Sequence, residues 1–384
     1  MTTRVALEDV ADIIMGQAPE GSAYNDRGEG WPLIAGAGDF KGDRPRAKKF
    51  TTSASKLSRS GDIVIGIRAS IGAKVWSDGE YCLGRGVAAL RARAGLDSHF
   101  LWHWITAARG ELESKGRGAT FLQVNRSDIA QLRIPLPPLP EQRRIASILD
   151  QADNLRTKRR EAIESLRHLG ESLFDDMFRS GHKGRVVPLS TLAASDKGAI
   201  RTGPFGSQLL HSEFVDRGIK VLGIDNAVTN EFQTGKPRFI SEAKYEQLRR
   251  YTVKPGDVLI TIMGTVGRCA VVPDDVGVAI NTKHLCCITL DQSRCRPRFL
   301  QQYFLRHPTA KNYLRSKSKG AIMDGLNMTV ISEIPVELPS IERQAAFVSS
   351  FAEITEAKQL HLAHLAKLDE LFASLQRRAF AAEL

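Results

Sequence analysis

Cations are the side chains of this sequence whose type and spacing could do chemistry. The stretch Lys41 to Lys49, KGDRPRAKK, is densely basic, and the chain carries a formal net charge of +11. That excess is confined: residues 1–139 hold a net +4 and residues 186–339 a net +6, whereas residues 140–185 and 340–384 together contribute +1. A basic excess held in two separate stretches favours a polyanionic partner such as nucleic acid. The settings that catalysis needs are missing. There is no Asn/Asp-Pro-Pro-aromatic tetrapeptide for amino methylation, no FxGxG-type cofactor loop and no GxxxxGK[ST] phosphate loop. Pro273-Asp274-Asp275 lacks a following Glu-x-Lys for metal-dependent cleavage, and Gly203-Pro204-Phe205-Gly206 is too short for a dinucleotide fingerprint. His99, His103, His284 and His307 show no ligand spacing, and His361 and His364 have no third ligand, so no metal site is expected. Cys82, Cys269, Cys286, Cys287 and Cys295 lack CxxC spacing, and buried free thiols are the expected state.

The elements that must position the basic stretches stand on either side of them. From Leu139 to Phe178 the sequence predicts one continuous helix. Pro140 suits the first helical position, Glu141 adds negative charge beside the positive end of the dipole, and only Gly170 is a weak point. About forty residues extend roughly 60 Å, and a helix that long needs a partner. Ser340 to Phe380 has the same apolar rhythm at a shift of 202 positions. Ile145, Leu149, Ala152, Ile163, Leu166, Leu173 and Met177 form one seam, with Phe347, Phe351, Ile354, Leu365, Leu368, Leu375 and Ala379 at the corresponding places. Their alternating steps of four and three are a coiled-coil signature. Mid-seam, Arg156 and Arg159 correspond to Lys358 and His361. These are either long side chains that snorkel outward or a register-setting polar layer.

The globular stretches repeat as well. The first opens with a short amphipathic segment, Val5 to Ile14, then short strands punctuated by glycine: WPLIAG from Trp31, GDIVIGIRASIGAKVW from Gly61, VAALRA from Val87. A helical pattern around His99 to Lys115, the loop GRGATFLQVN and the strand RIPLP follow, ending in Pro135, Pro137, Pro138 and Pro140. Residues 61–72 align without gaps on residues 256–267; Gly118 and Asn125 match Gly320 and Asn327; Pro137 and Gln142 match Pro339 and Gln344. Asn125 and Asn327 are expected to cap local turns. The first helix is expected to stop in a glycine-bearing exit, Arg179 to Gly184. No apolar run approaches the ~20 residues of a membrane span, and the acidic N-terminal stretch does not read as a signal peptide; a cytoplasmic protein is expected.

These residues resemble a known family, the specificity subunits of type I restriction-modification systems. The resemblance rests on PLPPLPEQRRIASILDQAD from Pro135, its echo ELPSIERQAAFVSSF from Glu337, Gly203-Pro204-Phe205-Gly206-Ser207-Gln208-Leu209, and the two GD-apolar-turn-G segments. Glu342-Arg343-Gln344 departs from the family's proline-and-glutamine start. The resemblance implies an α+β fold with an internal pseudo-twofold repeat: a target-recognition domain over residues 1–139, a long helix and exit over 140–185, a second target-recognition domain over 186–339, and a second long helix over 340–384. The helices would pair antiparallel as a coiled coil. It also implies a non-catalytic subunit that reads an asymmetric bipartite site in double-stranded DNA and directs two methyltransferase subunits, and restriction subunits through the complex. S-adenosylmethionine, ATP and Mg would be bound by those partners and not by this chain. Expected DNA contacts are Arg44, Arg46, Lys48, Lys49, Arg68, Ser70 and Arg117 in the first block, with Arg201, Lys236, Arg238, Thr265, Lys317 and Lys319 in the second. The alternatives are a coiled-coil scaffold that binds no DNA, or the specificity module of a system lacking a nuclease.

Overall fold

The repeat read at residues 61–72 and 256–267 has a strand-for-strand counterpart in the computed structural model, which describes residues 3–118, 120–179, 185–317 and 326–381. The chain divides into two units, one formed by Met1–Ala162 with His361–Leu384 and the other by Ile163–Leu360. The boundary falls inside both long helices, so each unit combines one globular block with a half of each helix.

In the first unit an antiparallel four-stranded sheet orders Ala11–Met15, Val87–Ala92, Ile63–Gly66 and Lys74–Trp76. A second four-stranded sheet contains Cys82–Leu83 paired parallel to Trp31–Ile34, then Lys49–Thr51 and Tyr24–Asn25. Ile63, Val64 and Ile65 are wholly buried, which explains why their strand reads as a continuous apolar run and not as an alternating one. Val5 to Ile14 is not one amphipathic stretch. Strand Arg4–Ala6 pairs with Arg133–Pro135, the helical turn Leu7–Val10 buries Leu7, and strand Ala11–Met15 joins the sheet. The Asp9 carboxylate accepts the Ala6 backbone N–H at 3.2 Å and breaks the run there.

The second unit repeats this plan. Its four-stranded sheet orders Ile200–Thr202, Leu285–Ile288, Val258–Thr261 and Cys269–Val271, all antiparallel. A five-stranded sheet carries the equivalent parallel pair, Ile219–Leu222 with Ala279–Asn281. Strand Arg185–Pro188 pairs with Pro335–Leu338, as Arg4–Ala6 does with Arg133–Pro135. Asn125 and Asn327 each cap a short helix through the side-chain oxygen, at 3.0 Å to Asp128 N–H and 2.8 Å to Val330 N–H. All five cysteines are free and buried.

The long helices run Leu139–Phe178 and Ile341–Ala381. Within the first unit their halves run antiparallel: Arg156 bonds Asp369 and Arg159 lies 3.1 Å from His361. Within the second unit Phe174 packs on Phe347 at 5.6 Å between ring centroids, and Arg343 donates to Met177 carbonyl. The exit from Ser180 to Gly184 and Gly320 lie outside the described residues.

Candidate nucleic-acid interface and the helix locks

The glycine-aspartate pair that opens each central strand is a structural staple. Gly61 and Gly256 take φ values of 87° and 80°, a left-handed turn that favours glycine. Asp62 accepts the Arg59 N–H at 2.8 Å and both arms of the Arg91 guanidinium at 2.8 Å. Asp257 accepts the Lys254 N–H at 2.9 Å, Arg201 Nη2 at 2.8 Å and the Cys287 thiol at 3.0 Å. Burial, together with the adjacent Asp257 carboxylate, pushes the Cys287 thiol well above its usual value. Arg201, expected at DNA, is turned inward: its side chain is 11% exposed and also reaches Thr289 Oγ1 and the Thr252 carbonyl.

The turn after each central strand is where backbone and solvent meet. Ala69 adopts φ 56° at the position held by Gly264, φ 71°, in the second unit. Ala69 N–H donates to Leu122 carbonyl at 3.1 Å and Val124 N–H to Ile67 carbonyl at 3.0 Å, so the glycine-rich loop closes over the turn. Between them lies a shallow cleft of about 460 Å³ lined by Arg68, Ala69, Thr120, Phe121 and Gln123. Phe121 is 69% exposed and the neighbouring Leu122 is 49% exposed. Arg68 points a buried, unpartnered Nε into the same region, Ser70 is exposed beside it, and Arg117 is exposed while pairing with Asp128 at 3.1 Å. Sequence reasoning missed Phe121 and Leu122; the available signal was an apolar pair inside a glycine-rich loop. In the second unit, Thr265 is exposed next to an exposed Met263.

The remaining cations fall into classes by pairing. Arg46, Lys48 and Lys49 are exposed, and their side chains have no ion-pair partner among the described residues. Arg44 is exposed and reaches Asp78 at 3.4 Å. Lys236 exposes its side chain while its N–H donates to Asp225. Arg238 pairs with Asp225 at 2.5 Å; burial opposes the Asp225 charge, but Arg238 and the Lys236 N–H hold its carboxyl below the usual range. Lys317 is exposed near Glu333 at 4.0 Å, and Lys319 lies outside the described residues.

Each long helix is locked to its own block by one glutamine. Gln142 is fully buried: its Nε2 donates to the carbonyls of Gly95 and Pro137 at 2.8 Å each, and its Oε1 accepts the Asp97 N–H at 2.8 Å. Gln344, equally buried, donates to Arg294 and Pro339 carbonyls at 3.1 and 3.0 Å and accepts the Arg296 N–H at 2.9 Å. A side chain with two donors and an acceptor is what this corner requires: Pro137 or Pro339 before each long helix leaves one carbonyl facing inward, and the loop before Ser98–Ser114 or Pro297–Arg306 adds a second carbonyl and an N–H. Pro140 therefore has no counterpart requirement at Glu342: the glutamine holds the second helix start without it.

Along the helices, Ile145, Leu149 and Ala152 are buried in the first core with Phe372, Ala379 and Phe380, and Leu375 packs against them. In the second core Phe174, Phe178, Phe347 and Phe351 are buried, with Leu173 and Met177 alongside. Ile163, Leu166, Ile354, Leu365 and Leu368 are half-buried. Phe174, Phe178, Phe372 and Phe380 were missed by the seam because they face the blocks as well as the partner helix. The polar positions differ: Arg156 stacks 4.3 Å from the Phe372 ring centroid and pairs with Asp153 and Asp369, each at 2.6 Å, and is therefore not snorkelling.

The fold and these sites define a class: a duplicated α+β recognition block with a long helix locked to each copy. The model of the type I restriction modification DNA specificity domain matches residues 2–165 and 217–370, and the chain belongs to that family. Over 414 aligned residues it is 23% identical to the EcoBI specificity subunit of Escherichia coli, covering 99% of this chain and 86% of that one. It is 35% identical over 156 residues to the putative MjaX specificity subunit of Methanocaldococcus jannaschii, covering 40% of this chain and 37% of that protein's length. Among solved structures, the type I S subunit from M. genitalium superposes with a TM-score of 0.63 at 15% identity, covering 99% of this chain and 96% of that one. A chain from a study of type I R-M complex assembly gives 0.58 at 17% identity, covering 100% and 98%. Among the described residues no helix is long and apolar enough to cross a membrane.

Proposed function

We propose that this chain reads an asymmetric, bipartite sequence in double-stranded DNA and directs two methyltransferase subunits, and restriction subunits through them, to that site. The observation that carries the reading is the pair of equivalent blocks with unlike surfaces, each fastened to its own helix start by Gln142 or Gln344. Equivalent scaffolds with different polar loops suit two readers of different half-sites. Half-sites one helical turn apart lie about 34 Å from each other, and a helix of some forty residues rises about 60 Å, long enough to set such a spacing.

The proposed contacts sort by chemistry. Arg44, Arg46, Lys48 and Lys49 in the first block, and Lys236, Lys317 and Lys319 in the second, supply phosphate affinity. Arg68, Ser70, Arg117 and Thr265 stand at the turns suited to base edges or the groove rim. Arg201 and Arg238, being paired to Asp257 and Asp225, act by shaping the second block. The chain itself performs no chemistry; S-adenosylmethionine, ATP and Mg belong to its partners, and the complex works on cytoplasmic DNA.

Methylome sequencing of a host carrying only this gene and its methyltransferase partner tests the reading. A single new split adenine motif is expected; absence of any split motif overturns it. A DNA titration against salt tests the contacts: Lys48→Gln with Lys49→Gln should reduce the log–log slope by about 1.8, at 0.9 per phosphate. A scaffold that binds no DNA would show no slope at all.

A further inference from the structure

Phe121 is a large apolar side chain left 69% exposed in a short hairpin of the first unit. That hairpin is braced on both sides. Arg117 and Gln123 exchange backbone N–H and carbonyl groups at 3.0 and 2.9 Å. Leu122 carbonyl accepts the Ala69 N–H at 3.1 Å and Val124 N–H donates to Ile67 carbonyl at 3.0 Å, which fastens it to the turn after the central strand. Gly118 takes φ 139°, and a Cβ there would lie 2.3 Å from the Phe121 carbonyl oxygen, so the hairpin closes this tightly only with glycine. The ring is thus held out by fixed backbone, where folding alone gains nothing from it.

The groups around the ring decide what it can meet. Phe121 and Arg68 line the same shallow cleft, and no carboxylate lines it. Arg68 is half-buried, its Nε is buried without a partner, and its side chain makes no hydrogen bond or ion pair among the described residues. Arg117, 72% exposed in the same hairpin, reaches Asp128 through Nη2 alone. A flat ring beside an unpaired guanidinium suits a nucleobase, whose face stacks on the ring and whose acceptor edge takes the guanidinium N–H. An apolar protein surface over the same place would bury the Arg68 charge with no acceptor for it. The positive charge of the first block and the DNA specificity family to which the chain belongs both favour the base.

We propose that Phe121 is a wedge that enters a base step of the first half-site and stacks on the base it exposes, while Arg68 donates to that base's acceptor edge. The inference rests on the DNA-target reading and adds to it a deformation of the duplex at one defined step. It concerns the first half-site only: Met263 stands at the place of Arg68 in the second unit, and the counterpart of Phe121, Met323, lies outside the described residues.

The test uses the full chain in complex with its methyltransferase partner and duplexes carrying the split site found by methylome sequencing. 2-Aminopurine, bright when unstacked, is placed at successive positions of both half-sites, except at the methylated adenine, which the methyltransferase itself would unstack. A fluorescence rise is expected at one step of one half-site. Phe121→Ala should abolish that rise and weaken specific binding by about 5- to 100-fold, the loss of one base–aromatic stack. It should leave the log–log salt slope unchanged, because the ring neutralises no phosphate. Phe121→Trp should restore both rise and affinity; the exposed position lets either variant fold. Arg68→Met should keep the rise and relax discrimination at that base pair, and unchanged discrimination overturns the Arg68 contact. Specific binding with no rise, or with a rise that survives Phe121→Ala, overturns the wedge and leaves the DNA reading standing; absence of any specific site overturns both. Weaker assembly of Phe121→Ala with the methyltransferase in the absence of DNA, read by analytical ultracentrifugation, also overturns the wedge and reassigns the ring to a protein interface.

Discussion

In the first unit the buried aspartate of the glycine-aspartate turn is held by Arg91, from a strand that follows it in sequence; in the second it is held by Arg201, from a strand that precedes it. A carboxylate at 1–2% exposure needs a cation, but the fold does not dictate which strand delivers it. The same holds at the left-handed position of the next turn, filled by Ala69 in one copy and Gly264 in the other. What the duplication preserved is a physical requirement at each place, and the residues meeting it have diverged. The glutamine locks kept both residue and geometry, as did the Asn125 and Asn327 caps and the Gly61 and Gly256 turns; at the helix starts no other side chain offers two donors and an acceptor at that reach.

Four tests would break or sharpen this parallel. Arg201→Leu strands the Asp257 charge in the second core and should cost about 3–5 kcal/mol in urea denaturation. Arg91→Leu should cost about 2 kcal/mol, since Arg91 is 28% exposed and water can reach the freed carboxylate; equal losses would mean the two staples are the same. Gln142→Leu and Gln344→Leu each leave a buried N–H and two carbonyls unpaired, and should cost about 3 kcal/mol apiece. A marked inequality between them would show that one helix start is held by other means.

The third test uses pH. Burial pushes Lys74 down to about 7, outweighing the nearby Asp153, while its ammonium donates to Trp102 carbonyl at 2.5 Å and to Thr106 Oγ1. Unfolded, the amine titrates near the ordinary lysine value of 10.5, so the unfolded state binds more protons between those limits and the stability of the first unit rises with pH across them. The corresponding residue in the second unit is Cys269, whose thiol burial raises above the ordinary cysteine value of 9.0. There the unfolded state releases its proton first, and stability falls above about pH 9. All four tryptophans, Trp31, Trp76, Trp102 and Trp104, lie in the first unit, so tryptophan emission follows that unit alone. Between pH 7 and 9 its midpoint should rise by roughly 5–9 °C, and Lys74→Met should remove the rise. The smallest effect is Ala69→Gly, which relieves a left-handed alanine and should stabilise the first unit by about 1 kcal/mol in the same assay. No gain would show that the loop over Ala69 tightens on its methyl group.

Much of the fold was legible because its signals are local and repeated. The long helices announced themselves through period and the absence of any internal proline, the first also through Pro140 in its first turn, and the central strands through a glycine-aspartate start before an apolar run. The candidate interface was legible only as a list of cations. Arg46, Lys48 and Lys49 are exposed and unpaired among the described residues, whereas Arg201 and Arg238 are engaged with aspartates far off in sequence. A sequence shows a charge but not its partner. Phe121 reads as a core residue by type, and its exposure comes from the loop closing through Leu122 and Gln123 backbone instead.

The duplication, the two helix starts with their glutamines, and the unequal basic surfaces were determined by the sequence alone, since each depends on residue type and spacing along one stretch of chain. Tertiary structure decided which arginine neutralises which aspartate and which phenylalanines close the helices onto the blocks. Those outcomes depend on which side chains meet across hundreds of residues, and pairing at that distance is set by packing, not by any local preference.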